Sequence, residues 1–322
     1  MTNNRKQGHL CAFLTIFIWG TTFISTKILL TDMTPLQILF TRFVIGYLTL
    51  WIMYPHRCTL EDKKLERWFA GAGLCGITLY YLLENIALLY TQTTNVGVII
   101  SIAPFFTAFL SSKIMKESSK GRFFYIGFAL AMLGILLISI PDNADVSFHP
   151  YGDVLALLAA LVWSIYSLLC RKLSTFHMTT IGITRRTFFY GLLFMIPIIL
   201  TQDTFHVSQI WHGGWPVIGN LLFLGFGASA LCFVTWNKAV SILGSIQTSV
   251  YIYLVPVITA LTSFLILQES ISMKKLIGII FTICGLFLSQ DLQKKESTAL
   301  PIINKQKQVS QKTSANLMKY II

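Results

Sequence analysis

Ten apolar segments follow one another through this chain, and that succession limits its fold more than any other feature. They cover residues 9–30, 35–54, 68–90, 94–114, 121–140, 151–171, 178–201, 214–238, 244–267 and 273–290. Each is long enough to cross a hydrocarbon core of roughly 30 Å as a helix. No polar–apolar alternation over about ten positions is present, as a membrane barrel strand would need. Only 12% of the 322 residues are charged, against about 25% in soluble domains, and the mean hydropathy is +0.67. The first segment follows Arg5 and Lys6 like a secretory signal. It is too long for one, lacks a cleavage-like small-residue site and precedes nine more spans. The expected fold is an all-α membrane protein with ten transmembrane helices.

A net charge of +12 could suit nucleic acid, but the placement of the charges argues otherwise. With the N-terminus in the cytoplasm, 18 of the 25 Lys and Arg residues fall on the inner side. Two precede the first span, and Arg57, Lys63, Lys64 and Arg67 lie between the second and third. Lys113, Lys116, Lys120 and Arg122 lie between the fourth and fifth, Arg171 and Lys172 follow the sixth, and six lysines are in the tail. The outer loops hold two, Lys274 and Lys275, and five more basic residues lie within spans. This is the positive-inside pattern of a multi-pass cell-membrane protein with both termini inside. The expected partner is the lipid bilayer, with no nucleic acid. Six cysteines lie in spans or, for Cys58, in an inner loop. No disulfide framework is implied.

The chain repeats itself. Residues 82–118 laid on 234–270 without a gap agree at 11 of 37 positions, among them Asn85/Asn237, Ala87/Ala239, Pro104/Pro256 and Glu117/Glu269. Shared apolar composition would not readily align a proline, an asparagine and a glutamate together. At a second offset Trp19 matches Trp163, Lys27 matches Arg171 and Arg42 matches Arg186. Each half has five spans, so the second copy must cross the membrane in the opposite sense. The expected domains are 1–145 and 146–292, two inverted five-helix repeats around a central cavity, followed by a Lys-, Gln- and Ser-rich tail, 293–322, expected to be disordered and cytoplasmic. Inverted repeats are a transporter architecture with the substrate site near the midplane. The rival is a duplicated bundle that transports nothing.

Three stretches carry a family resemblance. They are "WGTTFISTKILL" (19–30), "TRFVIG" (41–46), and "NVGVIISIAPFFTAFLSSKIMKES…GFALAMLGILLI" (95–138), the last recurring as "QTSVYIYLVPVITALTSFLILQES…GIIFTICGLFLS". Over residues 9–290 the chain resembles the drug/metabolite transporter (DMT) superfamily, and within it the EamA-type ten-helix carriers. The resemblance implies a central cavity and transport of small metabolites, often export of amino acids or related compounds.

Several span residues depart from a plain apolar pattern. Thr15, Trp19, Thr22 and Thr26 share one face of the first helix, as Trp163, Tyr166 and Ser167 do in the sixth. Such a stripe can line a solvated pathway or bond neighbouring helices together; Trp19 favours the pathway. Pro104 and Pro256 fall mid-span at matched positions, where each removes a backbone donor. They can act as hinges or as static kinks. Glu117 and Glu269 read as charges at the water boundary.

The run "YYLLENIALLY", residues 80–90, places Glu84 inside an apolar stretch. A lone charge at a span centre is disfavoured by about 2.5–3.5 kcal/mol. Lys27, Lys238 and Arg185 lie near span ends and can snorkel, whereas Arg42 and Arg186 are deeper. Arg42 and Glu84 have similar computed depths, about 9–10 Å below the outer boundary at 1.5 Å per residue. A Glu84–Arg42 pair facing the bundle interior is therefore expected, either as a brace or as a gate that opens during transport. Tyr80, Tyr81 and Asn85 join it as candidate pathway residues. The position matching Glu84 is Trp236, so Arg186 is expected to lack the counterpart partner. If the pair breaks as the cavity opens, Glu84 could take up a proton and couple flux to pH.

No H-E-x-x-H, G-x-S-x-G, Walker A loop or Cys/His metal spacing occurs. No catalytic residue, metal or cofactor is expected, and without an ATP site transport is facilitative or ion-coupled. The expected function is a secondary transporter of a small-molecule substrate, in the export direction, working by alternating access. The alternatives are a membrane enzyme acting on lipid-linked substrates and a non-transporting scaffold. The oligomeric state is not legible in the sequence.

Overall fold

Helices whose apolar runs match a bilayer's thickness make up nearly all of this computed structural model, which describes residues 3–56, 60, 62–91, 93–115, 121–139, 149–176, 178–201, 213–267 and 272–290. The ten candidate spans are α1 (Asn3–Thr26), α2 (Pro35–Met53), α3 (Lys63–Ala87), α4 (Asn95–Ile114), α5 (Arg122–Ser139), α6 (Pro150–Leu173), α7 (Thr180–Leu200), α8 (Gly214–Leu243), α9 (Ser245–Ile266) and α10 (Met273–Gln290). Among the described residues there is no strand. The all-α, ten-span expectation is met. Cys58, Glu117, Glu269, His177, His206, His212, the side chain of Lys27 and the 293–322 tail lie outside the described residues.

Three boundaries differ from the hydropathy reading. α1 and α3 begin earlier, and α8 continues past residue 238 to Leu243. The polar ends stay helical because they find partners. Arg5 donates to the Gln247 side-chain oxygen at 3.2 Å, and His9 Nδ1 shares a 2.7 Å hydrogen bond with the Tyr251 hydroxyl. α8 stops at Gly244, whose φ of +88° suits glycine and few other residues. Lys238 thus lies five residues inside the end of α8, as Arg185 lies five residues inside the start of α7.

Local sequence sets the helix starts. Thr34 and Gln37 form a reciprocal capping box ahead of Pro35 at the start of α2. Thr179 caps α7 by accepting from Gly182 N at 3.2 Å. Asp153, in the first turn of α6, accepts from His149 N at 3.0 Å and from the Thr91 hydroxyl at 2.7 Å. The second of these bonds ties α6 to the end of α3.

Lipid gives two apolar helices little reason to associate, so close backbone packing and interhelical hydrogen bonds must hold them. The duplication supplies both. Gly127 and Gly134 of α5 face Gly278 and Gly285 of α10, and a Cβ on Gly134 would lie 2.5 Å from the Gly278 carbonyl oxygen. Gly73 of α3 and its repeat mate Gly225 of α8 do the same against α7 and α2. A Cβ on Gly73 would meet Gly191 N at 2.6 Å, and one on Gly225 would meet Ile45 Cγ2 at 2.4 Å. Thr78 adds a 3.0 Å bond to the Gly191 carbonyl.

Both halves interrupt the same helices. α3 widens to π geometry over Leu74–Leu79, and α8 does so over Phe223–Leu231. α4 breaks at Ser101–Ile102 before the stretch Ala103–Ile114, and α9 carries a 3-10 stretch, Val250–Tyr253, before Leu254–Leu267. Pro104 and Pro256 therefore lie in the first turn of a new helical stretch, where a missing N–H costs little. Pro104 is buried.

Candidate functional site

The π stretches end where the aromatic residues begin. A π turn shifts the following residues around the helix axis and is often found at functional sites. In α3 it precedes Tyr80, Tyr81 and Glu84; in α8 it leads into Phe233, Trp236 and Asn237. Gly76 lets Tyr166 of α6 approach so closely that a Cβ would lie 2.3 Å from the ring.

Aromatic rings from six helices meet at this level. Trp19 of α1 and its repeat mate Trp163 of α6 touch edge to face at 5.4 Å. Trp236 lies 5.4 Å from Trp19 and 5.8 Å from Trp163. Tyr80 packs on Trp163 at 4.9 Å and on Tyr81 at 4.8 Å. Phe43, Phe188 and Phe233 close one side, each pair within 5.6 Å. Trp19 donates its indole N–H to the Ala228 carbonyl at 2.9 Å. The indole N–H groups of Trp163 and Trp236, which are 4% and 0% exposed, have no hydrogen-bond partner. A buried donor left unmade costs free energy, so these two are poised to meet an acceptor.

Glu84 accepts the Tyr80 hydroxyl at 3.3 Å. Arg42 donates its Nε to the Ser229 hydroxyl at 2.9 Å, and its guanidinium lies 5.4 Å and 5.6 Å from the Phe43 and Tyr81 rings. The expected direct Glu84–Arg42 ion pair is not formed; the ion pair among the described residues is Arg186–Glu66. Aromatic faces and a hydroxyl can satisfy a guanidinium without a carboxylate.

Arg186 has no acid at the repeat position of Glu84 and pairs instead with Glu66 of α3. Its Nε meets Glu66 Oε2 at 2.9 Å, and Tyr190 donates to the same oxygen at 2.9 Å. The sequence alone does not single out Glu66, because hydropathy starts the third span after it. The glycine contact of α3 with α7 brings the two together. Arg185 bonds the carbonyls of Tyr54 and His56 at the end of α2, an anchor at a span end as expected.

The hydroxyl stripe divides. Thr15 bonds Thr235 of α8 at 2.6 Å and acts as interhelical glue. Thr22 and Ser167 bond carbonyls of their own helices. Asn85 is half-buried. Its repeat mate Asn237, passed over in the sequence, donates to Thr184 at 2.9 Å and accepts from Tyr166 at 3.5 Å. Phe43, Phe188, Phe233 and Ser229 were also missed. The 152-residue offset that aligns Glu84 with Trp236 would have singled out the α8 members. Among the described residues no group of three or more His, Cys, Asp or Glu is placed to hold a metal ion.

A model of the EamA-like transporter family matches the chain twice, at residues 6–140 and 150–290. A protein of Archaeoglobus fulgidus named as an uncharacterized transporter is 29% identical over 295 residues, covering 88% of this chain and 97% of that protein. One of Clostridium kluyveri, named likewise, is 24% identical over 309 residues, 93% of this chain and 98% of that protein. A solved crystal structure superposes with a TM-score of 0.72 at 18% identity, covering 90% of this chain and 98% of that one; this is a likeness of fold.

Proposed function

Because the chain belongs to the EamA-like transporter family, we propose that it is a secondary transporter that exports small metabolites such as amino acids across the cytoplasmic membrane by alternating access. Both termini are then inside, and residues 1–145 and 146–292 are the two exchanging halves. The observation that carries this reading is the meeting of Trp19 with Trp163 at 5.4 Å. Equivalent residues of two inverted repeats can touch only near the axis that relates them, and a transporter's substrate site lies there. Around that contact stand Glu84, Tyr80, Tyr81 and Arg42, with Asn85 one residue from the acid.

In this mechanism the rings form the walls, Glu84 anchors a substrate ammonium or carries a proton, and Arg42 holds α2 to α8 through Ser229. Pro104 and Pro256 are the hinges. The test is radiolabelled amino-acid flux from liposomes containing the purified protein. Glu84→Gln keeps shape and loses charge; it should lower flux at least tenfold and, if Glu84 carries the proton, flatten the dependence of flux on pH. Arg42 is held by Ser229 and two rings rather than by Glu84, so the melting temperature of Glu84→Gln should stay near wild type, which separates lost transport from lost folding. Wild-type flux in Glu84→Gln would overturn a transport role for Glu84.

A further inference from the structure

Away from the aromatic centre, a cavity of about 200 Å³ opens among α6, α7 and α8. It lies at the end of those helices that the charge pattern assigns to the cytoplasm. Ser174, Thr180, Asn237, Lys238 and Ser241 are among its lining residues, and none of the lining residues is acidic. Its volume is well above what a single water needs.

The lining of this cavity carries one cationic residue, Lys238, and no acid. A lysine has three donors, and an ionisable group within a spanning helix marks a functional site by default. The first turn of α7 lies alongside, since Thr180 and Ile183 both line the cavity. Gly182 N is capped by Thr179, and the remaining first-turn N–H groups and the positive dipole end favour an anion. Arg171 bonds the carbonyl of Ser241, itself a lining residue, at 3.1 Å. Beside Lys238 and the Thr180 hydroxyl, Asn237 is a side-chain donor, since one of its two amide N–H groups goes to Thr184. The duplication does not explain the lysine, because the matching position in the first half is Ile86.

We propose that this cavity is an oxyanion site, taking a carboxylate or phosphate group with Lys238 as its central donor. The site stands independently of the transport reading, because it requires only binding. The oxyanion can belong to a small solute or to the headgroup of an inner-leaflet lipid. The full chain is placed in phosphatidylcholine nanodiscs, and thermal unfolding is followed with added phosphate or succinate, with sodium chloride at equal ionic strength as the control. A parallel set replaces part of the lipid by phosphatidylglycerol.

Wild-type protein should be stabilised by an oxyanion and not by chloride. Lys238→Met should weaken the effect about tenfold, as loss of a charge-assisted bond implies, whereas Lys238→Arg should keep it. Should Lys238→Met fail to fold, Lys238→Gln replaces it with the same expectation. Stabilisation by free phosphate or succinate in phosphatidylcholine identifies a solute site; stabilisation by phosphatidylglycerol alone identifies a headgroup site. Absence of any oxyanion effect in the wild type, or an undiminished one without the lysine, overturns the proposal. Loss of amino-acid flux with this binding intact would fault the transport reading and leave the oxyanion site standing.

Discussion

The Tyr80 hydroxyl reaches Glu84 at 3.3 Å while its ring packs on Trp163 at 4.9 Å. One residue thus joins the acid to the aromatic centre. Tyr80→Phe separates the two roles, because it keeps the ring and removes the bond. A hydrogen bond to a charged group is worth about 1.5–3 kcal/mol, and this one is long. We expect flux about fivefold lower, with the melting temperature within about 2 °C of wild type. Unchanged flux in the liposome assay would show that the bond is incidental. Arg42 teaches a different lesson. Helical depth counted along the sequence put it level with Glu84, but depth says nothing of azimuth, and the guanidinium turned to Ser229 and two rings. For Arg186 the missing information was the helix start. Its ion pair with Glu66, 24% and 31% exposed, contributes roughly 0–1 kcal/mol, as partly solvated pairs do.

Helices α3, α4, α8 and α9 are the irregular elements, and each irregularity occurs twice. The α5–α10 glycine seam, by contrast, is two unbroken helices in backbone contact. Rigid seam and broken inner helices are the parts an alternating-access device needs. Pro104 and Pro256 lie in first turns, where proline is tolerated, so replacing them should change stability little. Pro104→Ala with Pro256→Ala restores two backbone donors and makes α4 and α9 more continuous. If the breaks are hinges, flux should fall about tenfold while the melting temperature shifts by less than about 2 °C. Wild-type flux from the double variant would leave the prolines as static kinks. Sequence showed the prolines and their matching; it did not show the π stretches, because a wide turn leaves no composition of its own.

For the molecule as a whole, the charge pattern predicts an orientation. Basic residues crowd the loops assigned to the cytoplasm, and Lys274 and Lys275 are the exceptions. Reporter fusions after Lys172 and after Lys295 should read inside, and fusions at Asn143 and His212 outside. Opposite readings after Lys172 and Lys295 would put an odd number of spans between them and break the inverted relation of the halves, whereas a full reversal would contradict the charge rule alone. The same relation accounts for the asymmetries. Glu84 faces Trp236 across the repeat, and Lys238 faces Ile86, so each mouth of the bundle has its own chemistry although the frame is shared.

Hydrophobic length, charge placement and internal repetition act along the chain, one residue after another. The ten spans, the family and the duplicated prolines were therefore open to reading from the sequence alone, and Glu84 stood out as an acid in an apolar run. Which side chains meet is decided between helices. Gly73 against Gly191 draws Glu66 to Arg186, Gly225 against α2 draws Ser229 to Arg42, and the π turns swing Trp236 toward Trp19. In a bilayer such contacts depend on how closely backbones approach. That distance is a property of two packed helices and is carried by neither sequence segment alone.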